Sequence, residues 1–286
     1  MKRQWIILGG AVAVAAGIFL LAPRGPQEPV YQGKHLTEWL AQTQYPFPDE
    51  ERTAATNAIR AIGTNALPYL LSEFTRPAPR WRNAFNDWIS ARGKYEWRLR
   101  GDEERIRQTA VGLHLLGSDV APAVPTLATY LADAERGIHA ARVMSEAGEI
   151  ALPYFVQASS STNTLMVHVA AIGLGRLARK TEAAVPFLVQ LLNHTNSQVR
   201  LRSACELASA HRRPDLTVPL FIGMLSDPDV TRSAFAARTL EDIGEMAKPA
   251  LPHLLTLMTN SNAWVAHTAS NAVFQIDPTA LPARTP

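Results

Sequence analysis

The stretch Ala170-Ala171-Ile172-Gly173-Leu174-Gly175-Arg176-Leu177, followed by Ala184-Val185-Pro186-Phe187-Leu188-Val189-Gln190-Leu191-Leu192, decides the fold. Its first half places small and aliphatic residues three and four apart, the spacing of one helix face. Its second half opens on a proline. Proline suits a first helical turn, which has no backbone N–H bond to lose. Together the halves read as two helices joined by a short turn.

The same pattern returns along the chain. Ala/Leu/Val-Pro dipeptides end at Pro68, Pro125, Pro153, Pro186, Pro219, Pro252 and Pro282, at steps of 57, 28, 33, 33, 33 and 30. Other columns keep the 33-residue step: Leu174, Leu207, Leu240 and Val273; Ala171, Ala204, Ala237 and Ser270; Leu177, Ala210, Ile243 and Ile276. Asn193-His194-Thr195-Asn196-Ser197 and Ser226-Asp227-Pro228-Asp229 supply turns and caps between units. A hairpin of this size cannot bury its apolar faces alone, whereas stacked hairpins can. The expected fold is therefore all-α, an α-solenoid of stacked helical hairpins (a HEAT-like, armadillo-type superhelix) with an N-terminal transmembrane helix.

On these residues the chain resembles the HEAT-like repeats, of the short alanine-rich kind seen in phycobilin lyase-related and many bacterial repeat proteins. The resemblance runs from about Glu50 to Pro286 and is clearest at Asp119 to Pro125 and Gly244 to Pro252. The Val-Arg opening survives only at Val199-Arg200, and the unit ending at Pro153 is short. The resemblance implies a repeat scaffold and leaves function open, because such repeats host many roles.

The N-terminus reads as a membrane address. Lys2 and Arg3 precede an uncharged run from Trp5 to Ala22, eighteen residues, which span about 27 Å as a helix. Lys2 and Arg3 should stay cytoplasmic and the body should be translocated. The expected organisation is a cytoplasmic segment 1–4, a transmembrane anchor or signal sequence 5–22, a stiff linker 23–33, and a repeat domain 34–286 with an insertion near 76–100. The expected location is the cell membrane, single-pass, with the body on the periplasmic side, or secretion if the segment is cleaved. Tyr31 to Leu40 is expected to begin a capping helix, with Trp39 and Leu40 packed on the first repeat.

Composition excludes several chemistries. One cysteine, Cys205, rules out a disulfide framework and multi-cysteine metal sites. Its neighbour Ala204 belongs to an alanine column, so it reads as a small buried hydrophobe. None of the eight histidines forms a His-x-x-x-His or His-Glu pair. Helical metal sites need such pairs, and HEAT-repeat hydroxylases carry His-Glu pairs. No metal or other cofactor is expected. Carboxylate pairs such as Glu103-Glu104 and Glu241-Asp242 read as solvated charge, and no catalytic constellation is nominated.

Two surfaces are candidates for binding a protein or peptide partner. The first is a ladder on the second helices, at positions one and four after each proline, where Tyr69, Tyr154, Phe187, Gln190 and His253 stand. Positions two, three and six after the proline should form the core face. In such solenoids the second helices commonly line the concave side. The second candidate is the insertion, with Trp81, Trp88 and Arg98. From Arg76 to Arg107 it has nine basic and five acidic residues. Basic residues interleaved with aromatics can hold nucleic acid, but Asn86-Asp87-Trp88-Ile89 reads instead as an extra amphipathic helix. The rest of the body is near neutral, so nucleic acid is not expected. The functional expectation is a membrane-anchored extracytoplasmic HEAT-repeat scaffold that binds through its concave second-helix surface. The alternative is an enzyme of lyase or glycosylase type on the same repeats. Nothing marks a pigment site or a small-molecule substrate, so a phycobilin lyase activity is not expected.

Overall fold

The computed structural model describes residues 25–44, 46–77, 80–93 and 102–280, and these divide into two compact units, one ending at Gly112 and the other starting at Leu113. The run 5–22 lies outside the described residues. Among the described residues no helix is long and apolar enough to cross a membrane.

In the first unit a two-residue hairpin, β1 (Val30–Tyr31) with β2 (Lys34–His35), precedes α1 (Leu36–Gln42). The expected helix start at Tyr31 is corrected to Leu36. Gln32 and Gly33 both have positive φ, 49° and 77°, the backbone of a tight hairpin turn that a helix cannot contain. Residues of the expected linker 23–33 are bonded to α1. The Glu28 carboxylate accepts the Thr37 N–H at 2.6 Å, and the Pro29 carbonyl accepts the Leu36 N–H at 3.0 Å. These bonds occupy donors in the first turn of α1. Trp39 and Leu40 are buried as expected, and Trp39 Nε1 donates to the Tyr31 carbonyl at 3.1 Å.

Next come α2 (Asp49–Ile62), α3 (Leu67–Thr75), α4 (Arg80–Ser90) and α5 (Asp102–Leu115). Asp49, Glu50 and Glu51 sit in the first turn of α2 and Arg60 in its last, matching the helix dipole at both ends. The Arg105 guanidinium donates to the carbonyls of Glu73 and Arg76, filling acceptors that the end of α3 leaves free. Helix α4 is the extra helix expected in the insertion. Its Ile89 is buried, and residues 94–101 lie outside the described residues.

The second unit is a row of helical hairpins. Its helices are α6 (Val124–Ala128), α7 (Gly137–Met144), α8 (Leu152–Ser159), α9 (Thr164–Ala178), α10 (Val185–Leu191), α11 (Ser197–Ser209), α12 (Pro214–Met224), α13 (Val230–Ile243), α14 (Leu251–Leu257) and α15 (Ala263–Ile276). The first helices α7, α9, α11, α13 and α15 stack side by side, and each second helix packs against the first helix that follows it, α10 and α12 also against the one before. The alanine and leucine columns meet at this seam. Ala171, Leu174 and Leu177, Ala204 and Leu207, Ala237, Leu240 and Ile243, and Val273 and Ile276 are all buried.

Asparagine or aspartate caps fix where α9, α11, α13 and α15 begin. Asn163, Asn196, Asp229 and Asn262 stand 33 residues apart. Their side chains accept backbone N–H bonds from Leu165 at 3.0 Å, Gln198 at 2.8 Å, Thr231 at 2.8 Å and Trp264 at 3.0 Å. Asn196→Ala and Asn262→Ala should each lower stability by about 1 kcal/mol. Their effects should add in the double variant, because the caps belong to separate hairpins. The urea midpoints of the three variants measure this. Gly244 ends α13 at φ 69°, and His211, 33 residues earlier, takes the same left-handed region at φ 53°.

Second helices carry proline in their first turn at Pro68, Pro125, Pro153, Pro186 and Pro252. Pro219 is the exception. It lies inside α12, which starts five residues earlier at Pro214. Pro214 takes the first-turn role there, with Asp215 next to it in the first turn. The expected core face holds at the second position after the proline and not at the third. Leu70, Leu127, Phe155, Leu188, Phe221 and Leu254, two after each proline, are fully buried. So are the preceding Val124, Val185 and Val218, whereas Val189, Ile222 and Leu255, three after, are only half-buried.

Candidate functional site

The first helices of the second unit carry a groove on the face opposite their alanine seam. One part, about 620 Å³, is lined by α9, α11, α12 and α13, including His168, Leu201, Arg202, Cys205, Met224 and Phe235. A second part, about 530 Å³, lies between α13 and α15, including Phe235, Arg238, Trp264, His267 and Asn271. Thr231, Phe235 and Asp242 line both, so the two parts meet along α13.

Two aromatic side chains stand out in this groove. Phe235 is 41% exposed and meets the buried Phe221 ring edge-on, with centroids 6.5 Å apart. That contact holds one edge of Phe235 and leaves the other to the groove. Trp264 is 54% exposed, and the Asn262 cap holds its backbone N–H. Polar groups surround them. Asn271 Nδ2 lies 3.4 Å from His267 Nε2, and Arg232 pairs with Asp227 at 3.5 Å and Asp229 at 3.8 Å. In the larger part, an apolar floor with a mixed polar rim is the arrangement of a protein-binding surface.

Electrostatics argue against nucleophilic chemistry at Cys205. Burial pushes its thiol up to about 11, and the thiolate is the reactive form. Burial, with help from Arg202, pushes His168 below its ordinary value, so its imidazole is neutral near pH 7. Among the described residues no group of three His, Cys, Asp or Glu side chains could hold a metal ion.

Behind the groove sits a buried carboxylate, Glu206, with Arg202 at 3.6 Å and Arg179 at 3.7 Å. Gly175 of α9 makes room for it, since a Cβ there would lie 2.3 Å from Glu206 Oε2. One hairpin earlier, Glu146 receives Lys180 Nζ at 2.7 Å and Arg176 Nη2 at 3.1 Å, with His114 Nδ1 at 3.3 Å. These two carboxylates tie neighbouring hairpins together at the ends of their first helices.

The residues expected to bind sit elsewhere. Tyr154, Phe187, Gln190 and His253 lie on α8, α10 and α14, the tyrosine and phenylalanine half-buried and the other two exposed. None of the four lines the groove. Tyr69 is on α3 in the first unit, half-buried, and burial together with Glu28 and Glu73 raises its phenol pKa. Trp88 is exposed on α4. Arg98 and the side chain of Trp81 lie outside the described residues. The groove residues Phe235 and Trp264 were missed because the first helices were read only for their buried columns. The available signal was a break in a column. Trp264 follows Leu165, Gln198 and Thr231 at 33-residue steps, a bulky aromatic where an exposed helix start asks for nothing large.

Residues 185–273 match the family model described as HEAT repeats. The stretch from α10 into α15 is therefore built of HEAT repeats. No curated protein matches the chain. Among solved structures, the complex of CpcE and CpcF of phycocyanin lyase from Nostoc sp. is similar at 18% identity, covering 89% of this chain and 100% of that one, with a TM-score of 0.42. An engineered protein is similar at 17% identity, covering 86% and 97%, with a TM-score of 0.37. A designed armadillo repeat protein in complex with the peptide (KR)4 is similar at 15% identity, covering 85% and 99%, with a TM-score of 0.35.

Proposed function

We propose that this HEAT-repeat chain is a binding scaffold, held at a membrane by residues 5–22 with its body outside the cytoplasm, and that it grips a protein or peptide partner along the groove over α9, α11, α13 and α15. The observation that carries the reading is Phe235. It is a large, half-anchored aromatic where an apolar-floored pocket meets a more polar one, the kind of central anchor that dominates binding energy at interfaces. The stacked first helices make that groove long enough for an extended segment or one helix. The reading is of a scaffold rather than an enzyme, supported by the raised Cys205 thiol. The membrane tether is supported by the uncharged run from Trp5 to Ala22 behind Lys2 and Arg3.

The second-helix ladder is the competing surface, supported by the half-exposed aromatic rings of Tyr154 and Phe187. One experiment separates the two. Envelope proteins are recovered on the wild-type chain, on Phe235→Ala/Trp264→Ala and on Tyr154→Ala/Phe187→Ala. The groove reading expects partner affinity to fall at least about tenfold in the first variant, as for loss of aromatic anchors, and to hold in the second. The reverse pattern would move the site to the ladder. Unchanged recovery on both would remove the scaffold reading.

A further inference from the structure

Helix α4 of the first unit has no role in the groove, yet its surface is unusual. Ile89 is buried, while the adjacent Trp88 is 51% exposed. The Trp88 ring stacks on Phe85 with centroids 6.0 Å apart at 29°. The Arg92 guanidinium lies 3.8 Å from the centre of the Trp88 ring. The same Arg92 donates to the Trp88 carbonyl at 3.1 Å, so it also satisfies an acceptor at the end of α4. The result is a preformed pair, an exposed indole with a cation against its face. Trp81 stands seven residues earlier, two turns before Trp88 in the helical register.

The helix and its end are themselves basic. From Arg80 to Arg92 the sequence holds three basic residues and one acidic one. The indole is amphipathic and settles at the level of lipid headgroups. Guanidinium groups match phosphate oxygens two bonds at a time. A short amphipathic helix with tryptophan on one side and surplus arginine beside it is the arrangement that lies flat on a bilayer.

Position on the chain favours the same occupant. The apolar run ends at Ala22, and Glu28 is already tied to α1 through Thr37. Residues 23–27 therefore span at most roughly 17 Å when fully extended. With the run 5–22 seated in a bilayer, the first unit stays within about that distance of the headgroups.

We infer that α4 is a membrane-surface helix that docks the first unit on phosphate-bearing anionic lipid through Trp88 and its flanking basic residues. The inference rests on the reading of residues 5–22 as a membrane segment. Docking would hold the first unit against the bilayer rather than leave it free on its tether.

The test uses the full chain in vesicles of phosphatidylcholine alone and of phosphatidylcholine with phosphatidylglycerol, read by amide hydrogen exchange over residues 80–92. Exchange there should slow about tenfold or more in the anionic vesicles relative to the neutral ones. It should return to the neutral-vesicle rate in Arg80→Glu/Arg82→Glu, which leaves the Arg92–Trp88 contact in place. Exchange across α9 and α11 should be the same in every sample and reports intact folding. Equal exchange over 80–92 in both lipids, with the chain floating with the vesicles, overturns the docking and leaves the tether standing. Failure of the chain to float with neutral vesicles removes the tether. Added anionic vesicles then decide the docking directly, and absence of protection over 80–92 overturns it. Protection over 80–92 that appears only with a protein fraction and never with lipid also overturns it, in favour of a protein partner.

Discussion

Gly173→Ala is expected to destabilise the second unit by about 1–3 kcal/mol, the cost of forcing extra volume into a filled core. An alanine Cβ at 173 would lie 2.3 Å and 2.4 Å from two carbons of the Phe155 ring. That ring is fully buried where α8 packs on α9, so it has no open space to move into. Phe155→Ala alone should cost more, about 3–5 kcal/mol, because it leaves a large cavity in the same place. The two changes are complementary. In the double variant the new methyl group enters the space that the ring has left, so its own penalty disappears. The loss should fall short of the sum of the singles by about 1 kcal/mol or more. Urea unfolding of the three variants measures the coupling. Strict additivity would mean that Gly173 and Phe155 do not share the contact.

This pair marks the boundary of what the sequence made legible. The 33-residue columns announced the stacked hairpins, and every leucine in the Leu174 column is buried. A repeating environment writes itself repeatedly, so several copies can be compared within one chain. The glycines at 173 and 175 occur where no column repeats. Each exists for a partner in another helix, Phe155 eighteen residues back and Glu206 thirty-one residues on. Such distances depend on how one helix leans on the next, which a period does not contain. The groove was hidden for the same reason, since its lining comes from five helices. The hairpin at Val30 was missed because two-residue strands have no periodicity to read. Pro219 misled because a second proline, Pro214, competes for the same first-turn role.

Glu146 and Glu206 look alike in sequence, but their removal should have opposite consequences. Burial alone would raise the Glu146 carboxyl. Hydrogen bonds from Lys180 and Arg176, with the His114 charge, outweigh it and leave its pKa below the ordinary glutamate value of 4.5. Its ionised form is therefore favoured by folding. That contribution is present above pH 4.5 and is lost as pH falls through the depressed folded value. At pH 7 Glu146→Ala should cost about 2 kcal/mol, because charge-assisted bonds are among the stronger ones and two hairpins are joined by them.

For Glu206 burial is again the largest influence, and the charges of Arg202, Arg179 and Arg176 do not overcome it, so its pKa is raised. Here the sign reverses. A raised folded pKa gives a contribution that is complete below the unfolded value and is lost as pH rises through the folded one. At pH 8, well above the unfolded value, a carboxyl at this buried position is a cost that Glu206→Gln would relieve. The arginines left behind are not stranded, since Arg202 and Arg179 keep 39% and 45% of their side-chain surface in water. Removing one member of an ion pair is harmful chiefly when the other stays buried. Glu206→Gln should therefore be neutral or stabilise by up to about 1 kcal/mol at pH 8, with the advantage fading below pH 4.5. Melting temperatures of the wild type, Glu146→Ala and Glu206→Gln between pH 4 and pH 8 test both signs together. Parallel curves for the two variants would show that neither carboxylate has the environment assigned to it.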